Sequence, residues 1–358
     1  MLLGGCRDRG GRSHVPLGVA VPAQRLPARA SAEPDGTGLG ARGGPGAAPA
    51  SALVFAGIIS VQFGAGLAAR MFSEVGPAGV TGLRLWWSAL VMAVLGGRAL
   101  GGALRRVAAE RAWRDLGVAV TFGLVLAAMN FSIYQAFARI PLGIAVTIEF
   151  LGPLGVAVAS SRRRLDVLWV LLAAGGVLLL TDDGTGPAAG AADHAGPLLG
   201  LSRSAAGIAF GLLAAACWAA YILLSRSTGR RFSGSSGLAI AMVVAALLVT
   251  GPAIAQAGPS IGHPAPIAEG LAIGLLSSVI PYRLELEALR RVPAGVFGIW
   301  MSLEPAVAAV VGLILLGEAL TGWQWLAICL VVVASAGAAR SAVGKASPGL
   351  PPGESYGA

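Results

Sequence analysis

The sequence predicts an all-α integral membrane protein: ten transmembrane helices arranged as two inverted five-helix repeats. Three observations lead there. The chain is 56% hydrophobic and only 12% charged, with a mean hydropathy of +0.76, whereas a soluble domain carries about 25% charged residues. Apolar runs of about 20 residues recur, each long enough to cross about 30 Å of hydrocarbon. The third observation is internal repetition, which decides architecture before any single motif does. A shift of 152 positions lays Ala136–Val158 on Ala288–Val310 and matches Arg139 to Arg291, Pro141 to Pro293, Gly143 to Gly295, Leu151 to Leu303 and Pro153 to Pro305.

Residues 1–50 are rich in Gly, Pro, Ala and Arg. They can bury too little surface to offset ordering entropy, so they read as a disordered tail, with a mis-assigned start codon as the alternative. Ten apolar spans follow, at 51–70, 77–97, 116–138, 142–160, 166–181, 205–226, 237–257, 267–289, 294–316 and 322–340. Each is expected to be a helix, because lipid offers no partner for backbone amides and none of the runs alternates as a strand does. The 53 glycines and many alanines allow close helix approach. The first repeat covers 51–181, a linker loop 182–204, the second repeat 205–340, and a disordered tail 341–358.

With the N-terminus placed in the cytoplasm, 21 of the 26 basic residues fall on the cytoplasmic side. Three (Arg70, Arg139 and Arg203) fall outside, and two (Arg84 and Arg283) lie within spans. Positive charge marks the cytoplasmic face, so both termini are expected inside. Five spans per half then force the halves to insert upside down relative to each other. Inverted repeats belong to carriers that bind their solute near the midplane. The net charge of +9 has no basic stripe interleaved with aromatics, so nucleic acid is excluded as a partner.

No nucleophile elbow, phosphate loop or metal spacing occurs, so no cofactor, metal or catalytic group is expected. The histidines at 14, 194 and 263 lie in tails or loops, and Cys6, Cys217 and Cys329 are expected to be inert, the last two as packing residues. Polar residues inside spans remain, and in lipid these default to function. Glu149 and Glu304 lie on equivalent faces of equivalent helices, one turn apart. Pro153 removes the amide that would bond the carbonyl of residue 149, which places freed backbone and carboxylate together near the midplane. Proton and substrate ammonium would compete for that carboxylate; the bland alternative is a helix-end hydrogen bond. Pro141, Pro153, Pro293 and Pro305 are the expected helix breaks. Arg84 either attracts a carboxylate or snorkels to the outer interface, the second being slightly preferred. Asn130 and Tyr134 share a helix face suited to a small polar solute, or act as interhelical glue, with Gln135 beside them. Tyr282 mates with Asn130 in the repeat. Arg283 and Glu287 are expected to neutralise each other, leaving Glu285 as the better candidate. Trp218, Ser302 and Gln62 are weaker nominations, the first mated to the last by a shift of 156.

Several runs are similar to the drug/metabolite transporter superfamily: Met129-Asn130-Phe131 through Tyr134, Pro141 to Val146, Glu149-Phe150, Gly152-Pro153-Leu154, Pro281-Tyr282, Leu284-Glu285, Met301 to Ala306 and Gly317-Glu318. More narrowly, they resemble its EamA-type threonine/homoserine exporter branch, over residues 55–340. The resemblance implies ten helices in two inverted repeats and export of small amino acids from the bacterial cytoplasm. Proton coupling and alternating access are expected with it. Arg283 and Glu287 depart from the uncharged residues expected at their positions. The expected partners are a small-molecule solute and the bilayer, with a homodimer as a candidate assembly. The same fold could instead export another metabolite, an amine or a drug. An intramembrane enzyme or receptor would need clustered catalytic groups or a membrane lysine, and the lone Lys345 lies outside the spans.

The arginine bias generates a direct test. Reporter fusions at Lys345 should read as cytoplasmic and fusions at Asp193 as external. An external signal at Lys345 would overturn the inverted arrangement.

Overall fold

A computed structural model describes residues 49–159, 165–182, 202–232 and 236–343. Most of the expected tails, residues 160–164 and most of the 182–204 linker lie outside these residues. Among the described residues there are only helices and turns. The first half holds α1 (Ala50–Arg70), α2 (Phe72–Glu110), α3 (Trp113–Phe137), α4 (Leu142–Glu149), α5 (Leu151–Ala159) and α6 (Leu165–Asp182). The second holds α7 (Arg203–Arg231), α8 (Ser236–Ala257), α9 (Pro264–Gly274), α10 (Ile280–Leu289), α11 (Ala294–Met301), α12 (Glu304–Val311) and α13 (Gly322–Val343). A single π turn, Leu275–Val279, joins α9 to α10, and another, Gly312–Leu316, extends α12.

Eight of the described helical segments are long and apolar enough to cross a membrane, or nine if bent α2 counts as one span. Their outward faces carry Val94, Leu247 and Ile314 at 73%, 69% and 67% exposure. Apolar side chains this exposed, in this number, require lipid rather than water around them.

In both halves the helices break at or just ahead of a proline. Pro141 and Pro293 cap α4 and α11 in nearly the same extended conformation (φ −53°, ψ 143° and φ −59°, ψ 143°). The helices after them stop at mated positions, α4 at Glu149 and α11 at Met301. One expectation fails in span 2. Its helix begins before Pro77, turns at Gly76 (φ +68°), and bends by 84° between Phe72–Val94 and Gly96–Glu110. The Arg98–Arg106 stretch read as a loop is therefore helical. Leu100, Ala103 and Val107 recur on one face and pack on Ala119, Phe232 and Ile240, which offsets the loss of straight geometry.

Helix contacts come in exchangeable pairs. α2 packs on α8 and α6 on α13, while α3 packs on α7 as α10 does on α1. The seam between the broken helices is unlike this. α4 packs on α12, yet among the described residues the mated halves α5 and α11 have no comparable packing. At the packed end a Cβ on Gly143 would come within 2.7 Å of the Ala309 backbone, and Glu318 Oε2 accepts a 2.8 Å hydrogen bond from the Leu142 amide. Glu318 thus caps a helix start that proline capping leaves open. Nearby, Gln256 Oε1 accepts from the Ala78 amide at 2.6 Å, satisfying the break at Gly76–Pro77. One end of the seam is closed.

Two tests follow from this packing. A Cβ on Gly152 would collide with the Ala215 carbonyl of α7, whereas one on Gly155 meets nothing within 4 Å. Gly152→Ala should lower the melting temperature in detergent by several degrees and Gly155→Ala should not; equal effects would show that α5 and α7 do not meet there. The second concerns Glu318, in the loop after the α12 extension, whose carboxyl burial pushes up to about 7 against the opposing pull of its bond to Leu142. Because the folded value lies above the ordinary one, folding favours the proton, and this contribution to stability is lost as pH rises towards and through 7. Wild type should therefore lose stability relative to Glu318→Gln between pH 5 and 8. Parallel melting curves for the two proteins would contradict it.

Candidate functional site

A cavity of ≈ 200 Å³ lies between the halves, midway along the helices. That is below the roughly 300–1,000 Å³ of sites for drug-sized ligands, and suits a smaller solute. Its wall is built from mated positions: Gln62 with Trp218, Ala65 with Tyr221, Asn130 with Tyr282, Ile133 with Glu285 and Glu149 with Met301. The repeat therefore places both members of each pair at one locus, although their chemistry has diverged.

Glu149, Glu285, Glu304, Asn130, Tyr134, Tyr282, Arg84, Gln62 and Trp218 all line the cavity. Arg84 turns inward rather than snorkelling. Its Nη1 donates to the Tyr134 hydroxyl at 3.2 Å and its Nη2 to the Ser277 carbonyl at 3.2 Å, with the guanidinium 5.5 Å from the Tyr134 ring centre. The Ser277 carbonyl is available because Pro281, four residues on, has no amide to give it. Gln62 Nε2 donates to Glu304 Oε1 at 2.9 Å across the halves, which orients that carboxylate. Asn130 Nδ2 donates to the Leu126 carbonyl at 2.8 Å, leaving its oxygen for the cavity. Trp218 is fixed edge-on by Phe150, ring centres 5.2 Å apart.

Two nominations are placed elsewhere, and one expected ion pair is replaced. Gln135 accepts from Arg139 Nη1 at 2.7 Å, outside the cavity wall. Ser302 donates back to the Ile299 carbonyl at 2.6 Å and closes the turn between α11 and α12. Glu287 pairs with Arg291 at 2.7 Å and Arg290 at 3.5 Å, not with Arg283, which is exposed. Glu287 reaches the two arginines that follow α10 because they share its exposed side of the helix end. Cys329 is exposed rather than packed. Two polar wall residues escaped the sequence reading, Tyr221 and Ser277. Tyr221 lies three residues past Trp218, on the same helix face, and that spacing was the available signal. Ser277 had only a Ser-Ser doublet inside an apolar run.

The cavity thus offers one guanidinium and three carboxylates in a half-open site between the halves. Such charges are stable only if protons or a counter-charged solute neutralise them. The wall can hold a carboxylate at Arg84 and an ammonium among the glutamates.

The EamA-like transporter family pattern matches residues 205–340. The threonine/homoserine exporter RhtA of Salmonella typhimurium (strain SL1344) is 39% identical over 284 residues, 78% of this chain and 87% of the relative. The chain belongs to the EamA-like transporter family. The threonine/homoserine exporter RhtA of Escherichia coli (strain K12) is similarly near, 38% identical over 291 residues, 80% of this chain and 89% of that one. A solved crystal structure with 18% identity aligns over 83% of this chain and 98% of its own, with a TM-score of 0.53, and shares the fold. This EamA-like chain is a multi-pass membrane protein of the drug/metabolite transporter superfamily.

Proposed function

We propose that this chain is a secondary carrier of the bacterial cytoplasmic membrane that exports small amino acids, threonine and homoserine among them, by proton-coupled alternating access. The observation that carries the reading is the cavity itself, with Arg84 on one wall and Glu149, Glu285 and Glu304 around it. An α-amino acid needs one cationic and one anionic contact, and here they share a space too small for a drug-sized solute. Two relatives at 38–39% identity are named threonine/homoserine exporters. Taking α2 and α6 each as one span gives ten, in two inverted halves of five with both termini inside. In that orientation the packed end of the α4–α12 seam faces outward and the unpacked α5 and α11 face the cytoplasm. The conformation is then inward-facing, and transport exchanges the packed end of the seam for the other.

The excess of carboxylates favours one alternative cargo, an organic amine carrying no carboxylate. Glu149 lines the cavity at the break between α4 and α5. A proton leaving it as an ammonium arrives would couple the two fluxes.

Overexpression should raise resistance to toxic threonine or homoserine and lower their cytoplasmic pools. In everted vesicles, Glu149→Gln should fold and reach normal abundance yet lose export driven by a pH gradient. Wild-type rates with unchanged pH dependence would make Glu149 structural. Unchanged amino-acid pools, with a shift in resistance to an amine, would favour the alternative cargo.

A further inference from the structure

Four buried polar atoms on the cavity wall have no hydrogen-bond partner: Gln62 Oε1, Glu304 Oε2, Arg84 Nε and Ser277 Oγ. An unmet buried polar atom is costly, and one that recurs beside a cavity marks where a solute supplies the partner. The first three belong to the charged contacts of the reading above and add nothing beyond it. Ser277 Oγ does.

Ser277 is 6% exposed and belongs to the π turn between α9 and α10. Turns of this kind are rare and concentrate at functional sites. Its side chain is accommodated by Gly64 of α1, where a Cβ would collide with Ser277 Oγ. The neighbouring serine is used differently: Ser278 Oγ accepts from Ser88 Oγ at 3.1 Å. The Ser277 carbonyl anchors Arg84, so a carboxylate held by Arg84 brings the solute's first side-chain atoms alongside this same turn. In the other half the mated position is Val125, so the hydroxyl is offered from one side of the cavity only.

We propose that Ser277 is the specificity-determining residue that reads the side-chain hydroxyl of the exported amino acid. It both donates and accepts, and therefore pairs with a hydroxyl two or three bonds from Cα, as in threonine or homoserine. A solute lacking that hydroxyl leaves Ser277 Oγ buried and unmet, and is selected against. This inference rests on the amino-acid carrier reading given above.

The test uses the full chain in everted vesicles with labelled threonine, homoserine and 2-aminobutyrate, the last being the deoxy counterpart of both hydroxy acids. Wild type should prefer each hydroxy acid over 2-aminobutyrate by about ten- to hundred-fold in transport efficiency, the range for one unmet buried partner. Ser277→Ala should bring the three solutes within about threefold of one another while still transporting 2-aminobutyrate. Ser277→Cys, close in size but a weak hydrogen-bonding group, should fall between them. Retained preference in Ser277→Ala would overturn the proposal, and so would an equal loss of all three solutes, which would mark the hydroxyl as structural. Absence of preference in wild type would also overturn it while leaving the carrier reading intact. If wild type moves none of the three, the carrier reading fails and this inference falls with it.

Discussion

Hydrocarbon offers no hydrogen bonds, and the helix breaks among the described residues answer to that constraint. A helix that spans lipid can break only where side chains, other helices or a wet cavity satisfy the freed groups. The chain breaks its helices at Gly76–Pro77, at Glu149–Phe150, at the π turn before Pro281 and at Ser302–Leu303. At the first, Gln256 reaches across from α8 to the Ala78 amide. At the π turn, Arg84 takes the Ser277 carbonyl. The helix start after Pro141 is capped by Glu318 from the other half. Contacts that repair the backbone are thus also contacts that hold the halves together.

The same economy explains why the cavity lies where it does. Breaking both members of a mated helix pair leaves carbonyls and carboxylates at the midplane, and only an interior face can accommodate them. Repetition brings equivalent positions together at the cavity wall. Once together, the two copies are free to differ, because a solute such as an amino acid has unlike ends. Asn130 faces Tyr282 and Glu149 faces Met301, so one pair supplies two polar groups and the other only one. The guanidinium comes from the first half and two of the three carboxylates from the second. A symmetric scaffold carries an asymmetric site.

Asymmetry in packing has a separate origin. The α4–α12 seam closes through small residues, Gly143 against Ala309, whose backbones approach within reach of dispersion contacts. Its mate at the other end, α5 against α11, has the same broken-helix design without comparable packing among the described residues. In a bundle of two equivalent halves the closed end could be either one, and a small difference in contacts decides which.

Much of this was legible in the sequence. The 152-residue repeat, the proline positions and the apolar runs were enough to expect paired broken helices, and Glu149, Glu285, Glu304, Asn130 and Tyr282 could be nominated because an ionisable or amide group in lipid must face an interior. Local chemistry and periodicity determine these features, and they survive in any fold the chain adopts in a membrane. What the tertiary structure decided was partnership. Arg84 could not be assigned to the interior from its depth alone, since a flexible guanidinium reaches either an interface or a cavity. Glu287 chose Arg291 over Arg283, Gln135 was claimed by Arg139, and Ser277 gained a role only when a π turn and a glycine on α1 placed it at the wall. Spacing along one helix says which residues share a face; which helix that face meets is set by packing between distant segments, and no local pattern encodes it.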